Sequence, residues 1–128
     1  MRILVSGGSG LIGQELITTL LSEGHQVVQL VRRNTNPGAR AQEFSWDPED
    51  GIFKHNGIGP INIAIHLGGS SIAGARWNTK RKLLIRNSRV LSTQLLSASL
   101  AEMANPPKLL IVASAMGFYG DRGDKPLN

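Results

Sequence analysis

Apolar residues along this chain follow two rhythms, and the switching between them predicts a layered α/β fold. Arg2–Ser6 (RILVS), Gln26–Val31 (QVVQLV), Ile61–Leu67 (INIAIHL) and Lys108–Ala113 (KLLIVA) are short apolar runs bounded by glycine, proline or polar residues. Runs of this kind predict strands covered on both faces. Gln42–Trp46 predicts a further, shorter strand, and Asn34–Gly38 (NTNPG) a turn. Leu11–Glu23 instead carries Leu11, Ile12, Leu16, Ile17, Leu20 and Leu21 on one broad helical face and ends at Gly24, a suitable C-cap. Asn78–Asn105 is helical in character, with Leu84, Val90, Leu91, Leu95, Leu96 and Ala98 on its apolar side. Its length predicts a kink or an earlier break, and Pro106 and Pro107 end it. Asp47–Pro60, polar and rich in glycine and proline, predicts loop. Helical crossovers between buried strands imply parallel pairing, and so a three-layer α/β arrangement. Residues 1–128 form one domain in this reading. The chain stops in a predicted loop just after its last strand, which marks it as an expected N-terminal fragment of a longer protein.

The strand-to-helix junction carries the most informative motif, Gly7-Gly8-Ser9-Gly10-Leu11-Ile12-Gly13. It satisfies GxGxxG through Gly8, Gly10 and Gly13, directly after a buried strand and at the head of an amphipathic helix. One glycine allows the tight turn, one lets the backbone approach a pyrophosphate, and Gly13 lets the helix pack closely. The helix start offers free N–H groups and a favourable dipole to a diphosphate. The alternative is a turn that needs glycine for packing alone. No lysine follows the last glycine, so this is not a phosphate loop of the Walker type. The junction and the strand order together predict a Rossmann-like, doubly wound parallel sheet, truncated at its C-terminal end.

The end of the second strand bears on the cofactor. NAD-binding domains place a carboxylate there, about 20 residues after the glycines, to hold the ribose 2′-hydroxyl. This chain has Arg32 and Arg33 instead. Guanidinium groups suit a 2′-phosphate, so NADP(H) is expected in preference to NAD(H), unless both arginines simply face solvent. The formal net charge is +5, and Arg76, Lys80, Arg81, Lys82, Arg86 and Arg89 form the densest basic group. A solvated helix face accounts for that group. The low aromatic content, 5%, and the lack of RRM or zinc-finger signatures argue against a nucleic acid partner.

Other chemistry is sparse. There is no cysteine, which excludes disulfides and thiolate catalysis and fits a reducing compartment; a cytoplasmic location is expected. His25, His55 and His66 are dispersed, so no metal site is expected. No apolar run reaches the length of a membrane span. His66, at a strand end before Gly68 and Gly69, is read as a hydrogen-bonded core or edge histidine, with ligand contact as the alternative. Ser114 and Tyr119 follow the last strand and are the candidate catalytic hydroxyls, with local structural roles as the alternative. Trp77 is read as stacking on a base or sealing the core edge. Oligomeric state is not legible.

Four stretches, RILVSGGSGLIG, FSWDP, IAGARWNTKRKLLIRNSRV and SAMGFYGDRGD, make the chain resemble the extended and atypical short-chain dehydrogenase/reductases. Within them it resembles the sugar-epimerase-like proteins described as the NAD-dependent epimerase/dehydratase family. The resemblance implies a longer protein with a C-terminal substrate portion and a small, sugar-like substrate. It implies cofactor contacts by Gly7, Ser9, Gly10, Leu11 and Ile12, by Arg32 and Arg33, and by Leu67, Gly68 and Gly69. Two positions depart from ordinary short-chain dehydrogenases. Tyr119 is followed at Tyr-x-x-x-Lys spacing by Gly123, and the catalytic hydroxyl position falls on Ala115, one residue after Ser114. A non-catalytic dinucleotide-binding or regulatory module is therefore the alternative to an oxidoreductase or epimerase. A phosphate or nucleic acid binder is a second alternative.

Overall fold

In the computed structural model, which describes residues 1–74, 76–114 and 123–126, the first apolar run is covered on both sides. The described elements are β1 (Arg2–Ser6), α1 (Leu11–Ser22), β2 (Gln26–Val31), β3 (Gln42–Ser45), β4 (Ile63–His66), α2 (Thr79–Ala101) and β5 (Leu109–Val112). The five strands form one sheet in the order β3-β2-β1-β4-β5, and every pairing is parallel. The chain winds outward from β1 through β2 to β3. It then returns to the other side of β1 for β4 and β5. The reversal places a crevice at the carboxyl ends of β1 and β4, the usual ligand position in such sheets.

Alternation along the strands divides the core in two. Ile3 and Val5 on β1 and Val27 on β2 turn to one face and pack with Ile17 of α1, joined by the half-buried Leu16, Leu20, Ile63 and Ile65. Leu4, Val28, Leu30 and Ala64 turn to the other face and meet Leu96 and Leu100 of α2. This is the predicted three-layer, doubly wound arrangement. The same second face is filled by a stretch with little regular structure: Trp46, Phe53, Ile58 and Ile61 are all buried there, and Trp46 meets Phe53 edge to face. The loop predicted over 47–60 is thus a loop by backbone but a core element by side chain. On the α1 side of β5, Leu109 and Ile111 stay about half exposed.

Three expectations are corrected. Thr79–Ala101 is one unbroken 23-residue helix, about 34 Å long, with no break inside it. Asn78 caps it by accepting a hydrogen bond from the Arg81 amide at 2.8 Å. The anchor that permits this length is burial of Ser92, Leu96, Ser99 and Leu100 on the sheet, which replaces propensity as the stabilising factor. The helix also ends before Pro106: the amides of Glu102 and Met103 already close onto Ala98 and Leu100. Trp77 does not seal the core. It is 56% exposed, and its indole N–H donates to the Ile72 carbonyl at 3.1 Å, closing the loop ahead of α2.

The packing of α2 gives a direct test. Leu96 is 1% exposed and Leu91 39%. Leu96→Ala is expected to lower stability by about 2–5 kcal/mol in urea unfolding, and Leu91→Ala by less than about 1 kcal/mol. Equal losses would contradict this orientation of the helix.

Candidate functional site

The crevice holds a cleft of about 440 Å³ walled by the turns that follow β1, β2, β3 and β4 and by one face of α2. Gly7, Ser9 and Gly10 line its floor, Arg32 and Arg33 one end, and Leu67, Gly68 and Gly69 the side below β4. The structure thus gathers most of the sequence-predicted cofactor residues around one space. Leu11 and Ile12 head α1 and are largely exposed at the rim, outside the lining itself. Gly13 is buried beneath it and serves packing: a Cβ there would sit 2.3 Å from the Gly7 carbonyl oxygen.

Local geometry shows why the turn has this sequence. Gly7 has φ +76, and a Cβ on it would meet the Leu67–Gly68 backbone at 2.6 Å, so only glycine lets the turn pass beneath the end of β4. Gly10 differs, because a Cβ there would meet only the Gly7 oxygen, at 3.4 Å. Its bare face opens on the cleft, and a side chain would take space that a close-approaching ligand needs. Gly10 is also the N-cap of α1 and offers no side chain to the first-turn amides, nor does any other described residue. The first turn contains no carboxylate. The open N–H groups and the positive end of the helix dipole therefore face the cleft with no anion from the described residues beside them. This is the donor set that a diphosphate requires.

At the far end the two arginines differ. The Arg33 guanidinium grips both oxygens of Glu43 on β3, at 2.7 and 3.0 Å, and Glu43 also accepts the Asn36 amide at 2.7 Å. The Arg33 guanidinium and then the Asn36 N–H hold the Glu43 carboxyl below the usual carboxylate range. Arg32 is exposed, lines the cleft, and forms no hydrogen bond or ion pair among the described residues.

His66 is a buried core histidine, as read, at 2% exposure. Its Nδ1 meets the Ser6 hydroxyl and its Nε2 lies 2.9 Å from Ser92 Oγ. Ser92 donates its only hydroxyl hydrogen to the Ser88 carbonyl at 2.6 Å. It must therefore accept from Nε2–H, which leaves Nδ1 to accept from Ser6. The neutral ring satisfies both of its nitrogens in this arrangement. Burial accordingly pushes the His66 pKa down. The chain Ser6–His66–Ser92 bolts α2 to the two strands that flank the crevice.

Sequence reasoning missed several lining residues: Gln29, Trp46, Pro48 and Glu49, and from α2 Asn87, Ser88, Leu91 and Ser92. The signal for the last four was available, because Asn87/Leu91 and Ser88/Ser92 are i, i+4 pairs on neighbouring stripes of one helix. Ser114 is exposed two residues beyond β5 and does not line the cleft. Tyr119 and Ala115 lie outside the described residues. In the basic segment, Arg81 donates to the Ser71 carbonyl, and Arg89 to those of Ser70 and Ile85. Both cations brace the loop ahead of α2. Among the described residues no group of His, Cys, Asp and Glu could hold a metal, and no helix is long and apolar enough to cross a membrane.

Known proteins share this arrangement. The model of the NAD dependent epimerase/dehydratase family matches residues 3–128. The chain is 36% identical over 123 residues to the epimerase family protein ML0860 of Mycobacterium leprae, covering 96% of this chain and 38% of that one. It is 33% identical to the epimerase family protein YfhF of Bacillus subtilis, covering 98% of this chain and 41% of that one. Among solved structures, the human epimerase family protein SDR39U1 with NADPH superposes with TM-score 0.78 at 31% identity, over 93% of this chain and 38% of that one. A nucleoside-diphosphate sugar epimerase from Corynebacterium glutamicum gives TM-score 0.75 at 36% identity, over 98% of this chain and 25% of that one. The chain thus spans about two-fifths of the length of the curated relatives it matches.

The histidine network predicts a pH dependence. His66 has a folded pKa below the ordinary value of 6.5, so below that value the unfolded chain binds more protons than the folded one. Stability is expected to be full above about pH 7 and to fall as the pH drops through 6.5 toward the folded pKa. Thermal melts of wild type and His66→Gln across that range check this. The variant should lose the part of the slope that His66 supplies; an unchanged slope would remove His66 as its source.

Proposed function

The chain belongs to the NAD dependent epimerase/dehydratase family, and we propose that its cleft holds NADP(H) in preference to NAD(H), for oxidoreductase or epimerase chemistry on a small, sugar-like molecule. The observation that carries the reading is the pairing, among the described residues, of an α1 start with no side-chain cap at one end of the cleft and an Arg32 with no partner at the other. The diphosphate would lie on the first-turn amides over Gly10. The adenosine half would extend toward β2, where Arg32 supplies a charge for a 2′-phosphate. Leu67, Gly68 and Gly69 would leave room for the other half beside β4. The human relative solved with NADPH supports the same preference. The sugar-like substrate is supported by the relatives named as sugar epimerases, including a UDP-galactose 4-epimerase at 26% identity and TM-score 0.71.

When bound, the cofactor supplies the hydride chemistry. The residues described here bind and orient it, and substrate groups beyond the sheet edge belong to the proposed activity of the whole protein. The engagement of Arg81 and Arg89 with loop carbonyls favours a bracing role for the basic segment over nucleic acid binding.

Fluorescence or calorimetric titration tests the proposal. The protein is expected to bind NADPH more tightly than NADH. Arg32→Ala is expected to weaken NADPH by about tenfold while changing NADH by less than about twofold. Tighter binding of NADH by the wild type, or an equal effect of Arg32→Ala on both, would refute the NADP(H) assignment.

A further inference from the structure

The chain lacks a carboxylate at the end of β2, yet the structure delivers one to the same place from the neighbouring strand. Glu43 stands on β3, opposite Gln29 in the β2–β3 register, and Gln29 lines the cleft. The Glu43 side chain is only 3% exposed, while its partner Arg33 remains 58% exposed. Both carboxylate oxygens are engaged, one by Arg33 alone and the other by Arg33 and the Asn36 amide. Arg33 donates in addition to the Asn34 carbonyl at 2.8 Å. The guanidinium is thus held back toward β3 by a closed set of bonds, and its charge is matched within 3.0 Å. Arg32, next in the chain, has no such counter-charge among the described residues.

We infer that Glu43 is a specificity-determining residue for the nucleotide, acting through Arg33 by cancelling its charge, so that, among the described residues at this end of the cleft, Arg32 presents the one unmatched cation to the ribose 2′-position. This rests on the proposed dinucleotide site and adds to it a residue that touches no cofactor. The local formal charge from Arg32, Arg33 and Glu43 is +1. Without the Glu43 carboxylate it becomes +2, and without the Arg33 guanidinium it falls to zero, with a carboxylate uncovered beside the ribose. A 2′-phosphate would sense these steps strongly, and a 2′-hydroxyl hardly at all.

A double-mutant cycle reads this out as the ratio of NADH to NADPH dissociation constants, measured on the purified protein. Glu43→Gln keeps an oxygen for the Asn36 amide and is expected to shift the ratio toward NADPH by about three- to tenfold. Arg33→Ala is expected to shift it toward NADH by a similar factor. The double variant is expected to return to within about twofold of wild type, because its local charge is again +1. All shifts should shrink at about 0.5 M salt. Three outcomes overturn the inference. The double variant keeps the full Arg33→Ala loss, which makes Arg33 a direct phosphate ligand. Glu43→Gln weakens both nucleotides alike, which makes Glu43 a brace of the 33–36 turn. Or the ratio stays constant across all variants. Melting temperatures of each variant separate unfolding from changed affinity. Failure of the wild type to bind either nucleotide would instead sink the dinucleotide reading itself, and this inference with it.

Discussion

The first turn of α1 lies so close to the backbone of Gly7 and Gly8 that Gly13 has no room for a side chain, and the carboxyl edge of the sheet is organised around that contact. With no side chain on Gly13, the helix axis comes near enough to β1 for its amides to look over the strand end. A single methyl group there would push against the Gly7 carbonyl and lift the helix away. Gly7 makes the matching concession on its other side, letting the turn slip beneath Leu67 and Gly68. The floor and one side of the cleft are therefore set by backbone contacts, which have far less freedom to adjust than side chains.

The second constraint is polar and lies one layer deeper. At the point where the sheet reverses direction, Ser6 and His66 are register partners on β1 and β4, and Ser92 reaches them from α2. An apolar trio would have held the helix equally well by area. A fully bonded polar trio also fixes the rotation of α2 about its axis, because the Ser92 hydroxyl meets the imidazole only when that face of the helix is turned to β4. That rotation brings Asn87, Ser88 and Leu91 to the cleft wall. A neutral histidine serves here because it carries one donor and one acceptor at fixed separation.

The fold was legible where one signal sufficed. The apolar runs gave the strands, the helical periodicity gave α1, and the glycine spacing located the cleft. What escaped was set by contacts between distant segments. The continuity of α2 depends on Ser92, Ser99 and their neighbours meeting the sheet, which its sequence, basic in the first half and serine-rich in the second, does not announce. The Arg33–Glu43 pair joins residues ten apart in a loop-and-strand segment where no periodicity applies. Arg32 and Arg33 are adjacent and chemically identical, so only the placement of Glu43 tells them apart. Tyr119, the other sequence candidate, lies outside the described residues, and Ser114 stands apart from the cleft.

The segment from Trp46 to Ile61 does two jobs with one piece of chain. Its buried Trp46, Phe53, Ile58 and Ile61 complete the core on the α2 side, while Trp46, Pro48 and Glu49 form the cleft wall opposite the glycine turn. A wall built this way cannot swing open like a hinged flap, since moving it would expose the hydrophobic interior. The pocket's shape and the integrity of the fold are consequently one cooperative unit, and a guest seated against that wall would be felt by the whole domain.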